Sequence, residues 1–416
     1  MDGSGARLIQ CTDDYPADFD DPRGWRDGLI SLISTINPAL RRRIGALAVD
    51  GTSGTLLVCR ADGRLLGGPL ARALPYHLSC PEQGAAITAL LQPDGPGFSG
   101  PAASVSGSLA RALRLMQLAD DTGQADVGMT LLRHQADWIS GWFLGDWSQA
   151  EEGNNMRLGW DPHRSRWAGA IRDQPWAAAL PRIRPSGTVL GTVHAAVARQ
   201  LGLASDCRVV AGSTDANAAV LAAEPDEGDG ITVLGTTLVL KQFVEHPIQG
   251  PGISCHRVAG RWLAGGASNT GAGILRRFFS DGQLRELSRQ MVPERPSGLQ
   301  LRPLMRPGER FPVDDPDLAP VLEPRPVSDV LYLQALLEGL AAIEAAGWQQ
   351  LEACGAPRVQ RVISVGGGAV NPQWRRMRQR ALARPVLNRP GLTAALGMAQ
   401  LARTALQASM DPPSNG

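Results

Sequence analysis

Two short stretches carry residues able to do chemistry. The first is Ala211-Gly212-Ser213-Thr214-Asp215-Ala216, in which Asp215 follows the apolar pair Val209–Val210 and opens an alanine-rich run. A carboxylate there can cap a helix or take a proton from a substrate hydroxyl. A helix N-terminus favours its ionised form in either role. The second is Val49-Asp50-Gly51-Thr52-Ser53-Gly54-Thr55, a tight turn after an apolar run. The Ser53 hydroxyl can meet a ligand or bond its own backbone.

Glycine-rich turns recur at 2–6, 51–55, 235–237 and 366–368. Glycine allows close backbone approach and positive φ, and successive free N–H groups make an anion-binding concavity. Each turn by itself also reads as an ordinary turn. None has the lysine-bearing phosphate-loop pattern. Lys241, one lysine among 41 basic residues, lies four positions after Thr237. It reads either as a contact near phosphate or as a strand residue reaching for solvent.

The elements that must position these residues alternate. Apolar spacing predicts a helix over 24–36 and a buried strand over 44–49. A returning strand is expected at 56–59, a turn at 61–64, a loop over 92–108, and helices at 109–118 and 129–144. The second set is a strand at 207–212, a helix at 216–223, a boundary at 225–230, and a hairpin of 231–234 with 238–241. Residues 292–328 are proline-rich and read as irregular. Ser328 can cap a long helix over 329–353, which Gly355 ends. A strand at 361–365, a basic helix and a final helix from 393 complete an α/β pattern.

At 416 residues the chain suits about two to four domains. A net charge of +1 argues against a nucleic-acid or membrane partner. The six cysteines are scattered, without metal-ligand spacing, and read as reduced thiols. No segment reads as apolar for the roughly 18 residues a bilayer span needs, and MDGSGARLIQ has no apolar signal core. These features suit a cytoplasmic protein.

The Asp50–Thr55 and Ala211–Ala216 motifs join Leu234-Gly235-Thr236-Thr237, Gly265-Gly266-Ala267-Ser268-Asn269 and Gly366-Gly367-Gly368-Ala369-Val370-Asn371. In order and spacing this set resembles the FGGY carbohydrate kinases, most closely the short cyanobacterial and plant-type, xylulose kinase-like enzymes. The resemblance implies two RNase H-like (actin-like ATPase) domains with ATP and sugar in an interdomain cleft. The expected domains are 1–224, completed by 393–416, and 225–392. It also implies phosphorylation of D-ribulose at its terminal hydroxyl, with Asp215 as base and Asp50, Ser53 and Tyr76 (with His77) facing sugar. Ser4 and Gly5 match a first phosphate loop, and Gly235, Thr236 and Thr237 a second. Gly367, Gly368, Ala369 and Asn371 match an adenosine motif, with Gly266, Ser268 and Asn269 lining the same cleft.

The family's opening strand and its Asp-x-Gly-Thr-Ser-Gly loop are not matched in full. Asp2 is the candidate Mg²⁺ ligand, sits two residues late, and Thr393 replaces a frequent Glu. A start codon placed too late is the favoured explanation. A catalytically impaired sugar- or nucleotide-binding protein is the alternative, as is a kinase for D-xylulose or another polyol. Trp138, Trp142 and Trp147 read as core. The arginines of the helix after Asn371 read as a solvated face rather than a nucleic-acid patch. A monomer or homodimer is expected.

Overall fold

Residues 1–94, 101–124 and 129–409 are described by a computed structural model of the chain. It divides into two units: Met1–Ala222 with Arg257–Gly260 and Ala394–Gly416, and Ala223–His256 with Arg261–Thr393. Both mix helices and sheets, as expected of an α/β protein.

In the first unit, helix α1 (Pro22–Thr35) begins on Asp21, whose carboxylate accepts the Arg23 N–H. Strand β1 (Ala46–Gly51) follows, then β2 (Leu56–Arg60). The expected return of β2 along β1 does not occur. Every residue from Leu56 to Cys59 is buried. Leu56 and Val58 enter one apolar cluster and Leu57 and Cys59 another. A strand buried on both faces belongs inside the unit rather than at a turn partner's edge. The first cluster is closed by α2 (Ser108–Asp121). The antiparallel partner of β2 is β3 (Thr130–His134).

That partner corrects a second expectation. The stretch 129–144 is strand for its first third and becomes helix α3 only over Gln135–Leu144. Residues 92–108, expected as loop, carry two short 3-10 turns around 95–100, which lie outside the described residues.

Strand β4 (Val189–Thr192) is antiparallel to β5 (Arg208–Thr214), and β1 is parallel to β5. Asp50 stands opposite Ser213 and Gly51 opposite Thr214, beyond a register shift after Ala48. The two chemistry-bearing motifs therefore leave the sheet side by side, and helix α4 (Asp215–Ala222) starts there directly. The C-terminal helix Ala394–Ala408 packs on β1 and α4. A Cβ on its Gly397 would lie 1.9 Å from the Ala218 carbonyl oxygen, so only glycine permits this approach.

The second unit holds a six-stranded sheet. Its strands are β6 (Asp229–Leu234), β7 (Leu238–Val244), β8 (Ile253–Val258), β9 (Arg261–Ala267), β10 (Arg361–Val365) and β11 (Val386–Asn388). Their spatial order is β8-β9-β7-β6-β10-β11. The predicted 231–234/238–241 hairpin is present, with Leu234 opposite Leu238. Helices α5 (Asp281–Gln290), α6 (Asp329–Ala353) and α7 (Pro372–Leu382) share one apolar cluster. Ser328 caps α6 through the Leu331 N–H. Between α5 and α6 the described chain has only isolated bridges, in keeping with its prolines. By length and composition α6 could cross a membrane, contrary to the reading of the sequence, but 61% of its apolar window is buried. Its apolar length serves the core.

Candidate active site

In the first unit Asp215 is the first residue of α4, with its side chain exposed and its carboxylate accepting the Ala216 N–H at 2.7 Å. Crowding by surrounding protein raises its pKa. The Ala216 N–H, the Arg157 charge and the Ser53 N–H oppose that rise. Asp50 is half-buried, and burial, reinforced by the Asp215 charge, pushes it up to about 6. Two carboxylates thus face each other at the ends of adjacent parallel strands.

The Ser53 turn is held from three sides. The Arg157 Nε–H donates to the Ser53 hydroxyl at 2.9 Å. The Gln135 side-chain oxygen accepts from the Thr52 N–H and hydroxyl, both at 3.0 Å. Gly54 has φ +102°, which favours glycine. Its carbonyl accepts from buried Arg111, whose guanidinium also reaches the carbonyls of Tyr76, Leu78 and Ser106. Burial pushes Arg111 down to about 10. Arg111 therefore ties the Ser53 turn to the segment of Tyr76, whose half-exposed ring meets Phe19 and His77 edge-on. Tyr15 is a further wall residue, its phenol raised by burial and then by the Asp50 charge.

Asp215, Asp50 and Ser53 are thus brought together, with Tyr76 linked through Arg111. Sequence reasoning missed Arg157, Gln135, Arg111 and Tyr15. None belongs to a glycine-rich motif; for Arg157, Gln135 and Arg111 the signal available was a polar residue beside apolar ones, whereas Tyr15 lies in an acidic stretch that carried no such mark. Trp138 and Trp147 are core residues. The Trp147 N–H bonds the Trp138 carbonyl, and the Trp138 N–H bonds that of Gly63.

The N-terminal turn is organised differently. One Asp2 carboxylate oxygen accepts from the Ser4 N–H, the Ser4 hydroxyl and the Ala6 N–H. The Ser4 hydroxyl, ahead of the Ala6 amide, lowers the Asp2 pKa. Gly5 has φ +92° and sits against the Arg403 guanidinium. Among the described residues no group of three His, Cys, Asp or Glu side chains could hold a metal ion. This turn engages one oxygen of the Asp2 carboxylate.

In the second unit, β6 and β10 are parallel, with Val233 opposite Val365. β7 is antiparallel to both β6 and β9. The C-terminal ends of β6, β9 and β10 therefore share one sheet edge, where Gly235, Ser268 and Gly366 follow. In α/β sheets the carboxyl ends of strands are where ligands bind. The Gly235–Thr237 turn is fixed by the Ala272 and Gly273 N–H groups, which donate to the Gly235 and Thr236 carbonyls. At Gly367 a Cβ would have nothing within 4 Å.

The other matched positions carry structural duties. A Cβ on Gly266 would meet the Phe311 ring at 2.4 Å, and one on Gly368 the Trp374 ring at 2.6 Å. Ala369 is buried. Asn371 caps α7 by accepting the Gln373 and Trp374 N–H groups. Ser268 and Asn269 are held by the buried Glu309 carboxylate, which the sequence did not single out. Lys241 is buried opposite Ile231 and Gly265, rather than reaching solvent. The arginine-rich face of α7 departs from a simple solvated surface, because Arg378 is buried on Glu344 and Arg380 pairs with Glu338. All six cysteines are free thiols.

Residues 231–406 match the C-terminal domain of the FGGY family of carbohydrate kinases. The chain also resembles solved structures over most of its length. A xylulose kinase from Rhodospirillum rubrum aligns with TM-score 0.77 and 20% identity, covering 97% of this chain and 84% of that one. Plasmodium falciparum glycerol kinase with ADP aligns with TM-score 0.76 and 15% identity, covering 96% and 83%. A gluconate kinase from Lactobacillus acidophilus gives 0.75 and 15%, covering 98% and 86%. At these identities the likeness is one of fold. Residues 231–406 are thus similar in sequence to the C-terminal domain of the FGGY family of carbohydrate kinases, and the chain as a whole shares the fold of the kinases named above.

Proposed function

We propose that the protein transfers the γ-phosphoryl group of ATP to the terminal hydroxyl of a ketopentose, D-ribulose, with Asp215 as the general base. The observation that carries this reading is the placement of Asp215: an exposed carboxylate at a helix start, beside Asp50 and the Ser53 turn. A sugar hydroxyl is a poor nucleophile, and a positioned carboxylate accepts its proton as the phosphoryl group departs. Asp50, Ser53 and the Tyr76 segment would hold the sugar by hydrogen bonds and ring contact. Backbone N–H groups and hydroxyls at Gly235–Thr237 would take the β- and γ-phosphates, and the open side of Gly367 would admit the adenosine. Mg²⁺ carried in with ATP would neutralise phosphate charge, and no residue here is assigned to it. An ATP-using enzyme with six free thiols suits the cytoplasm, and monomer or homodimer would both serve.

The engagement of Asp2 by its own turn favours a second reading, a protein that binds sugar or nucleotide with little turnover. ADP release over a panel of ketoses, aldonates and polyols separates the two. We expect release with D-ribulose, and a loss of about 10²–10⁴-fold in Asp215→Asn at unchanged folding. Binding of sugar without ADP release would favour the second reading. A higher kcat/KM for another sugar would replace the substrate.

A further inference from the structure

We infer that Arg157 is a positioning residue for Asp215, fixing the Ser53 turn against it and supplying a positive charge that its carboxylate faces. The inference rests on the reading of Asp215 as base. Arg157 occupies the short turn Met156–Leu158, between two buried residues. The turn is anchored from behind. The Glu151 carboxylate caps the preceding helical turn through the Gly153 and Asn154 N–H groups. The Asn155 side-chain amide donates to Asp137 at 3.1 Å and to the Glu151 carbonyl at 2.7 Å. With its backbone fixed, the arginine spans to the sugar-side turn. Its Nε–H reaches the Ser53 hydroxyl at 2.9 Å, and its Cδ lies 3.6 Å from where a Gly54 Cβ would be. The Ser53 N–H in turn supports the Asp215 carboxylate. One guanidinium thus orders the hydroxyl and, through the same turn, the amide that faces the base.

The electrostatics point the same way. Asp215 is faced by Asp50 from β1 and by Arg157 from the Met156–Leu158 turn. Arg111 on α2 faces Arg157 as a like charge. On the other elements packed nearby, Asp137 accepts the Glu151 N–H and the Asn155 amide, the Glu151 carboxylate caps its own helical turn, and Arg403 of the C-terminal helix reaches the N-terminal turn. Arg157 therefore opposes the crowding that disfavours an ionised base. A general base must be ionised to accept a proton, so loss of the arginine should move the acid limb of kcat/KM to higher pH.

The test compares Arg157→Gln, Arg157→Lys and Ser53→Ala with the wild-type chain. For R157Q we expect a deficit in kcat/KM roughly tenfold larger below the acid limb than on the alkaline plateau. R157K should restore the limb by keeping the charge, yet retain a raised KM for sugar because the Nε bond to Ser53 is lost. S53A should raise KM with little movement of the limb. A uniform deficit for R157Q at every pH, or no rescue by R157K, would overturn the inference. The second readout needs no turnover: the ¹³C titration of the Asp215 carboxyl, assigned with D215N. Its midpoint should rise in R157Q and return in R157K. If the wild type releases no ADP with any sugar, the kinase reading fails by itself. The carboxyl titration then still decides whether Arg157 acts on Asp215, an unmoved midpoint refuting it.

Discussion

The Glu344 carboxylate and the Arg378 guanidinium meet inside the second unit at 2.5 and 2.7 Å, each side chain 1% exposed. The pair joins α6 to α7. It is also wired to the sheet, since the Thr232 hydroxyl donates to Glu344 at 2.6 Å and Arg378 donates to the Ser364 hydroxyl at 2.6 Å. Thr232 and Ser364 stand opposite each other on β6 and β10, just behind Gly235 and Gly366. The network therefore fixes the two strands that deliver the candidate phosphate and adenosine turns.

Breaking that pair should be costly. Glu344→Ala leaves a buried guanidinium uncompensated, with an expected loss of about 3–5 kcal/mol in urea unfolding. Replacing both partners with leucine should recover much of the stability, because no charge is then left in the core. A loss below about 1 kcal/mol in E344A would show that water or another group takes over the arginine.

Asp50 gives a pH signature. Its carboxyl holds its proton to about pH 6 in the folded chain, against 3.8 for the free side chain. The folded state therefore binds the proton more tightly, and stability falls as pH rises from about 4 to about 6. Asp50→Asn should be more stable than wild type by about 1–2 kcal/mol at pH 7, after allowance for partial exposure, and equal to it near pH 4. Thermal unfolding across that range checks both ends. A wild-type minus D50N difference that does not change with pH would refute the assignment.

The adjacent glycines Gly367 and Gly368 should respond oppositely. A methyl at 367 enters open space, whereas one at 368 meets the Trp374 ring at 2.6 Å and the Leu234 Cβ at 2.8 Å. Gly367→Ala should fold normally and raise KM for ATP several-fold. Gly368→Ala should cost about 1–3 kcal/mol through overpacking. Paired measurements of ATP saturation and unfolding midpoint separate the two effects. Unchanged ATP saturation in G367A would remove Gly367 from the nucleotide site.

Local signals were read correctly where they are strong. The Ser328 cap, the Gly355 stop and the α6 periodicity are all set by neighbouring residues, so the helix could be bounded without the fold. The β6–β7 hairpin was legible because its turn is short and its strands are apolar. The β2 strand was misplaced because an uninterrupted apolar run does not say which partner buries it; the two clusters on its faces decide that. The same holds for 129–134, where the ladder to β2 overrides a helical pattern.

For the candidate site, the sequence by itself determined which backbone turns could approach a ligand, because glycine at a strand end is a local property of the chain. It also placed Asp215 at a helix start. What only the tertiary structure decided is which of these positions are open to a ligand and which are spent on packing. Gly266 lies under Phe311 and Asn371 caps a helix, while Gly367 stays clear. It also brought in Arg157, across 104 residues of sequence from Ser53. A lone arginine in an apolar turn carries no local mark of its partner. The charge it meets is set by through-space distance, which sequence separation does not encode.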